Sequence, residues 1–261
     1  MALNNGAIPQ TDAPLQSKTP MTEPALIDLP PFIETERLRL RSLVVGDGPL
    51  LHEAITESLP ELRRFPASLP WATGEQLIEK TELYCRMAQS NFISRQDLPF
   101  LIIERSSGRL IGCAGLHRLD WSVPKAELGY WCRTSQTGRG LMTEAVRALS
   151  RLAISNLGSK RLEIIVDEEN QPARKVAERC GFDLEGILRR ERRAPDGSLR
   201  NTCVYAYIQR RSNPLFESVN VISAVNSNVV PLRSKQSGPE TTASQIASFS
   251  RWQERLETDS Q

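Results

Sequence analysis

Histidine is almost missing from this chain. Its 261 residues contain two, His52 and His117. Zinc and most transition-metal centres draw on clustered His and Cys ligands, so no metal site is expected. Cysteine is present but scattered: Cys85, Cys113, Cys132, Cys180 and Cys203 are widely spaced and form no CxxC pair. That pattern excludes a disulfide framework or a zinc ribbon and fits reduced, buried thiols in a cytoplasmic protein. No apolar run approaches the ~18–20 residues of a membrane span. The N-terminus also lacks a basic segment leading into an apolar one, so a soluble, intracellular protein is expected. A strong charge of either sign is absent as well. Lys and Arg total 33 against 31 Asp and Glu, a formal net charge of +2. That balance gives no general case for a nucleic-acid coat or a polybasic membrane anchor.

Hydrophobic residues make up 39% of the chain, enough for a core but low enough to suggest non-globular stretches. Six of the 17 prolines fall in the first 31 residues, from Pro9 to Pro31, which blocks helix and ladder alike. Residues 1–31 are therefore read as a flexible N-terminal tail. Residues 212–261 are rich in Ser, Thr, Asn and Gln and are read as a largely disordered tail. Two exceptions are a short strand within Val219–Val230 and a helical turn or two within Ser248–Glu257. Both tails are slightly acidic, so the basic excess lies in residues 32–211, where it could serve an anionic ligand.

That middle segment is one domain with a legible element order. Arg37–Arg41 alternates as a first strand, and Pro49–Ser58 and Gly74–Ser90 read as helices. Phe100–Glu104 and Leu110–Leu116 read as strands around the Ser106–Arg109 turn, and Ala126–Cys132 as another. Leu141, Met142, Ala145, Val146, Leu149, Leu152 and Ala153 follow helical spacing, with Gly158 as a stop. Leu162–Val166 is a buried strand. Ala173–Cys180 is a short helix started by Pro172 and stopped by Gly181. Phe182–Arg190 and Arg200–Gln209 form a hairpin around the Pro195–Ser198 turn. Hairpins mixed with helical crossovers give an α+β, or mixed α/β, domain.

The chemistry concentrates where the Ala126–Cys132 strand runs through Arg133 into Thr137-Gly-Arg-Gly-Leu-Met-Thr143 and opens the long amphipathic helix. Glycines allow positive φ and close backbone approach. The first helical turn offers unpaired N–H groups and the positive end of the dipole. Gly138 and Gly140 with this helix start therefore make an anion site suited to a pyrophosphate, with Arg139 and Arg133 adding charge. The loop is neither GxxxxGK[ST] nor a three-glycine dinucleotide fingerprint, so a P-loop is excluded and a Rossmann site is not expected. An ordinary glycine turn before a helix is the competing reading of this segment alone.

A second segment, Asn170-Gln-Pro-Ala-Arg-Lys-Val-Ala-Glu-Arg-Cys-Gly-Phe182, follows the buried strand directly. With Gly-Arg-Gly-Leu-Met-Thr-Glu-Ala145 before it, this order resembles the GNAT family of acetyl-CoA-dependent N-acetyltransferases. More narrowly it is similar to the RimJ/RimL group, which acetylates protein N-terminal amines, notably those of ribosomal proteins. Glu34-Thr-Glu-Arg-Leu-Arg-Leu-Arg41, Glu57–Arg63 leading to Leu69-Pro-Trp71, and Glu127-Leu-Gly-Tyr-Trp131 fit the same group. The resemblance covers about residues 35–210.

The resemblance implies a central twisted, mostly antiparallel sheet flanked by helices, with a splayed strand pair forming the acetyl-CoA cleft. It implies that the loop spanning Thr137, Gly138, Arg139, Gly140, Leu141 and Met142, with Thr143 behind it, holds the CoA pyrophosphate through backbone N–H groups. It implies that Tyr130, Trp131, Cys132 and Arg133 lie on the strand that pairs with the pantetheine arm, and that Asn170 hydrogen-bonds the arm. Arg174, one turn into the same helix, could reach phosphate or be a solvated helix residue. Two family positions differ: Thr137 replaces a Gln or Arg, and Met142 replaces a Gly or Ala. The tyrosine that many relatives use as general acid corresponds to Ala177, so the acid is unassigned, and a water or a neighbouring hydroxyl could serve.

Acetyl transfer needs a neutral amine. An α-amine titrates near 8, so a base has a modest task at neutral pH. Glu127 is the first candidate, directly or through a water, and His117 the second; either could instead be a solvated surface group. A backbone N–H near Trp131–Cys132 would polarise the thioester oxygen. Cys132 is read as a packed thiol rather than an acyl carrier, because direct attack suffices. Trp71 and Phe65 could wall the acceptor pocket or pack in the core. The Arg189–Arg193 run could contact an acidic protein or the RNA of a ribosomal partner, or be a solvated hairpin. The leading expectation is transfer to a protein N-terminal amine. Acetylation of a small amine such as an amino acid, polyamine or antibiotic is the alternative, and a non-catalytic acyl-CoA sensor a third reading.

Overall fold

The computed structural model describes residues 23–209. The strand and helical turns expected at Val219–Val230 and Ser248–Glu257 lie outside that range, as do residues 1–22. The chain runs β1 (Phe32–Glu34), β2 (Leu38–Ser42), α1 (Gly48–Leu62), α2 (Ile78–Ile93), β3 (Leu98–Glu104), β4 (Leu110–Asp120), β5 (Lys125–Cys132), α3 (Leu141–Ser155), β6 (Arg161–Asp167), α4 (Gln171–Arg179), β7 (Asp183–Arg193) and β8 (Leu199–Ile208). The order is the expected one with a three-residue strand added at the start.

One sheet holds all eight strands in the order β1-β2-β3-β4-β5-β6-β8-β7. Every pairing is antiparallel except β5 with β6. A parallel pair needs a crossover, and α3 supplies it. Helices cover both faces. Phe100 and Ile102 of β3 join the cluster that contains Val146 and Leu149 of α3. Leu101, between them, joins the cluster with Leu51 and Ile55 of α1 and Cys85 of α2. Alternation along a strand sends successive side chains to opposite faces, so β3, covered on both sides, is apolar at consecutive positions. The seven α3 residues read as one apolar face are all buried.

Three boundaries move for physical reasons. α2 begins at Ile78 rather than Gly74, because preceding carbonyls are bonded by side chains: Arg63 Nε donates to Ala72 O at 2.8 Å and Gln76 Nε2 to Gly74 O at 3.1 Å. α4 begins at Gln171, with Asn170 capping it through Oδ1 to the Ala173 N–H at 3.2 Å and Pro172 in the first turn. The domain starts before Phe32. Ile27 and Leu29 pack on the larger cluster, and Arg95 Nη2 donates to Ile27 O at 2.7 Å.

Candidate active site

β5 and β6 pair only through Lys125–Arg161, Ala126–Leu162 and Glu127–Glu163. Beyond that point each strand stays with its other neighbour: β5 pairs with β4 out to Cys132–Gly112, and β6 with β8 out to Asp167–Thr202. The sheet is therefore parted at its one parallel junction. A cleft of about 450 Å³ opens there, lined by Leu128–Trp131 of β5, Ile164–Val166 of β6, Asn170 and Ala173. A strand edge that loses its neighbour leaves backbone donors and acceptors free for an extended guest. The Tyr130 hydroxyl crosses the gap and donates to Ala173 O at 2.7 Å, and burial pushes its pKa up.

Below the parted strands lies the glycine loop. Gly138 and Gly140 stand at φ +77° and +75°, and no side chain caps the start of α3. An added Cβ would meet nothing within 4 Å at Gly138, and at Gly140 only Arg37 Nη2 at 3.8 Å. The Glu144 N–H bonds to Gly140 O at 3.2 Å, so the first-turn N–H groups of Leu141, Met142 and Thr143 precede the helical ladder. Their side chains are buried. Met142 fills core, and only the backbone of these three residues can meet a ligand.

The loop is braced by residues that the sequence reading did not single out. Thr35 Oγ1 donates to Glu144 Oε1 at 2.5 Å, Arg37 Nε to Glu144 Oε2 at 2.7 Å, and Arg37 Nη1 to Arg139 O at 3.0 Å. Against burial that would raise it, these bonds hold the Glu144 carboxyl below its ordinary range. Thr35 and Arg37 lie in the Glu34–Arg41 stretch and Glu144 in the Gly138–Ala145 motif, but nothing local in the chain says that they meet.

The arginines expected to add positive charge are already engaged. Arg133 is buried and bonded to Glu57 at 2.5 Å and Glu53 at 2.6 Å. Arg139 pairs with Glu104 at 2.5 Å and bonds Gln136. Arg174 donates to Tyr205 Oη at 3.0 Å and Glu168 O at 2.9 Å. Carboxylates from distant elements thus neutralise Arg133 and Arg139, and what the loop offers an anion is its backbone N–H groups. The Thr137 hydroxyl bonds its own turn, to Thr134 O at 2.9 Å. Ala177 is fully buried and offers no proton donor.

At the other end of the cleft the two candidate bases meet. His117 and Glu127 are direct cross-strand partners on β4 and β5. His117 is not a surface residue at a strand end: β4 continues to Asp120 and the side chain is 18% exposed. Its Nδ1 lies 2.6 Å from Asp97 Oδ1. Burial lowers its pKa, but the Asp97 charge and hydrogen bond outweigh this and leave it raised. The Glu127 carboxylate is ion-paired with Arg118. Trp71 is buried, reaches the cleft and packs against Trp131 with ring centroids 6.3 Å apart, whereas Phe65 is not among the lining residues. Arg192 and Arg193 of the basic run line the cleft, and Arg192 Nη1 donates to Ser68 Oγ at 3.3 Å. Cys132 is a free thiol that burial pushes up to about 11, so it is protonated at neutral pH and a poor acyl carrier. Among the described residues no His, Cys, Asp or Glu group could hold a metal ion, and no helix is long and apolar enough to cross a membrane.

A mostly antiparallel sheet, parted at one parallel pair above an uncapped helix start, defines the α+β fold of the GNAT acetyltransferases. Residues 37–183 match the family described as the acetyltransferase (GNAT) domain, and the chain belongs to that family. An uncharacterized N-acetyltransferase, p20 of Bacillus licheniformis, is 27% identical over 67% of this chain and 95% of its own length. The ribosomal-protein-serine acetyltransferase of Escherichia coli is 27% identical over 59% of this chain and 84% of its own. Among solved structures, RimL, a ribosomal L7/L12 alpha-N-protein acetyltransferase in complex with coenzyme A, superposes with a TM-score of 0.63. That match is 22% identical, covers 68% of this chain and 97% of the other, and speaks to the fold.

Proposed function

We propose that this chain moves an acetyl group from acetyl-CoA to the N-terminal α-amine of a protein. The observation that carries the reading is the parting of β5 from β6 beyond Glu127 and Glu163, above the first turn of α3. An extended pantetheine arm fits between strands that have lost each other as partners, and a pyrophosphate fits at open glycine positions beside uncapped N–H groups. Relatives that act on ribosomal proteins support a protein acceptor.

Bound acetyl-CoA would supply an activated thioester. The chain's own residues would do the rest. Tyr130, Trp131 and Cys132 present the β5 backbone edge, and Asn170, whose Oδ1 caps α4, keeps its Nδ2 as a donor toward the cleft. Glu127 and His117 face the acceptor end, where the neutral amine must give up a proton as the C–N bond forms and the C–S bond breaks. The cleft lining also carries Arg192 and Arg193.

Incubating the full chain with acetyl-CoA and a panel of peptides and small amines, and reading CoA release, tests this. Faster release with free-N-terminus peptides than with N-acetylated peptides, lysine side chains or polyamines is the expected result. Release only with small amines would replace the acceptor, and binding without release would leave a sensor.

A further inference from the structure

We propose that Asp97 is a positioning residue: it holds the His117 imidazole over a floor formed by Gly115 and Gly129, so that Nε2 takes the proton of the acceptor amine. The proposal rests on the acetyl-transfer reading and assigns the proton step to one of its two facing candidates.

Four features of the backbone and side chains converge on this ring. First, Asp97 Oδ1 sits 2.6 Å from His117 Nδ1, with both side chains largely buried. A carboxylate at Nδ1 fixes the tautomer with its proton there and leaves the lone pair on Nε2. Second, Gly115 and Gly129 are cross-strand partners beside the His117–Glu127 pair. A Cβ on Gly115 would come within 2.7 Å of His117 Cε1 and Nε2, and one on Gly129 within 3.1 Å of Cδ2 and 3.2 Å of Nε2. The Nε2 edge of the ring therefore sits against bare backbone, and a side chain at either position would displace it. Third, the cleft lining includes His117, Gly115 and Gly129 together, so the ring is reached from the acceptor end. Fourth, the β4–β5 register shifts immediately after His117, and Arg118 adopts φ +47°. Bulges re-aim side chains next to active sites. Here the bulge lets Arg118, next in sequence to His117, bond Glu127 on the same face. Glu127 is thereby tied to a guanidinium while the imidazole is left to act.

The groups around His117 are Asp97 from the α2–β3 turn, Arg118 on its own strand, Glu127 across on β5, the Tyr84 hydroxyl of α2, and Arg192 and Arg193 from β7. Asp97 favours the protonated ring and Arg118 opposes it. In the reaction the amine nitrogen attacks the acetyl carbon, the C–N bond forms, the C–S bond breaks, and the nitrogen's proton passes to neutral Nε2. The departing thiolate takes a proton from water, and Nε2 returns its own to water, so charge and protons balance.

The test uses the full chain in a His52→Asn background, which leaves one imidazole to follow by NMR. In Asp97→Asn the His117 titration midpoint should move to lower pH, and the acid limb of kcat/KM should move with it. The plateau of kcat should fall on the order of 10–100-fold, below the range of a lost general base, with KM for acetyl-CoA unchanged. Gly129→Ala, should Asp97→Asn fold poorly, should lower kcat similarly without altering acetyl-CoA affinity. His117→Gln should remove the limb that tracks the His117 midpoint and leave only the one set by the acceptor amine itself, near 8. Wild-type kcat and acid limb in Asp97→Asn, despite a shifted titration, would overturn the proposal and leave acetyl transfer standing. So would an acid limb lost in Glu127→Gln and kept in His117→Gln. A wild-type protein that releases no CoA with any amine would overturn the transfer reading and this assignment with it.

Discussion

Gly140 stands at φ +75°, one residue before α3, in a conformation that β-branched side chains avoid. Its added Cβ would meet only Arg37 Nη2 at 3.8 Å, so the Cβ itself collides with nothing in the protein. Gly140→Val would combine a backbone strain of about 1–3 kcal/mol with a side chain in the space proposed for phosphate. Acetyl-CoA affinity by calorimetry should fall about tenfold or more, since each tenfold is ~1.4 kcal/mol. Unchanged affinity would remove the loop from the donor site. Arg139→Ala makes the contrast at the neighbouring position. Its guanidinium already bonds Glu104 and Gln136, so its loss should weaken acetyl-CoA far less than Gly140→Val.

At the scale of the element, the start of α3 is held by one carboxylate. Glu144 accepts from the Thr35 hydroxyl, the Arg37 N–H and Arg37 Nε at 2.5, 3.0 and 2.7 Å. Hydrogen bonds to a charged group are worth roughly 1.5–3 kcal/mol each, but exposure of Arg37 discounts its share. Glu144→Ala should cost about 2 kcal/mol, or ~4–8 °C in Tm for a domain of this size. The pH sign follows from the direction of its shift. A carboxyl held below its ordinary pKa contributes stability above the unfolded value of about 4.3 and loses it as pH falls through the folded value. The Tm gap between wild type and Glu144→Ala should therefore narrow on acidification from pH 6 toward 3. A gap that is constant across this range would mean that the carboxylate charge is not what holds the helix start.

For the whole molecule, the sheet behaves as two halves joined at three residue pairs. β1 to β5 form one half and β6, β8 and β7 the other. The segment before β1 closes over the larger cluster, where Ile27 and Leu29 pack and Arg95 binds the Ile27 carbonyl at 3.1 and 2.7 Å. Two partly buried aliphatic side chains contribute about 2 kcal/mol together, less than the ~1.5–3 kcal/mol of each when fully buried. A chain beginning at Phe32 should melt ~4–8 °C below one beginning at Glu23, with acetyl-CoA affinity retained. Equal melting temperatures would show that this segment adds nothing to the domain.

The apolar spacing from Leu141 to Ala153, the alternation in the strands and the Pro195–Ser198 turn were legible in the chain because each is a local signal. A period of 3.6 or 2 marks a buried face whatever lies on it. The glycines at 138 and 140 were legible for the same reason, since positive φ is a property of one residue and its neighbours. The element order and the resemblance carried by ordered motifs followed from these. Electrostatic pairing was not local. Arg133 meets Glu53, 80 residues earlier, and Arg139 meets Glu104, 35 residues earlier, so charge counted along the loop overstated what the loop presents. His117 looked like a strand-end residue until β3 brought Asp97, 20 residues before it, to its ring and β5 brought Gly129 beneath it. Sequence pattern determined which faces are apolar and where the backbone turns. Tertiary packing decided which charges meet, because a Coulomb partner is chosen by distance in space and not along the chain.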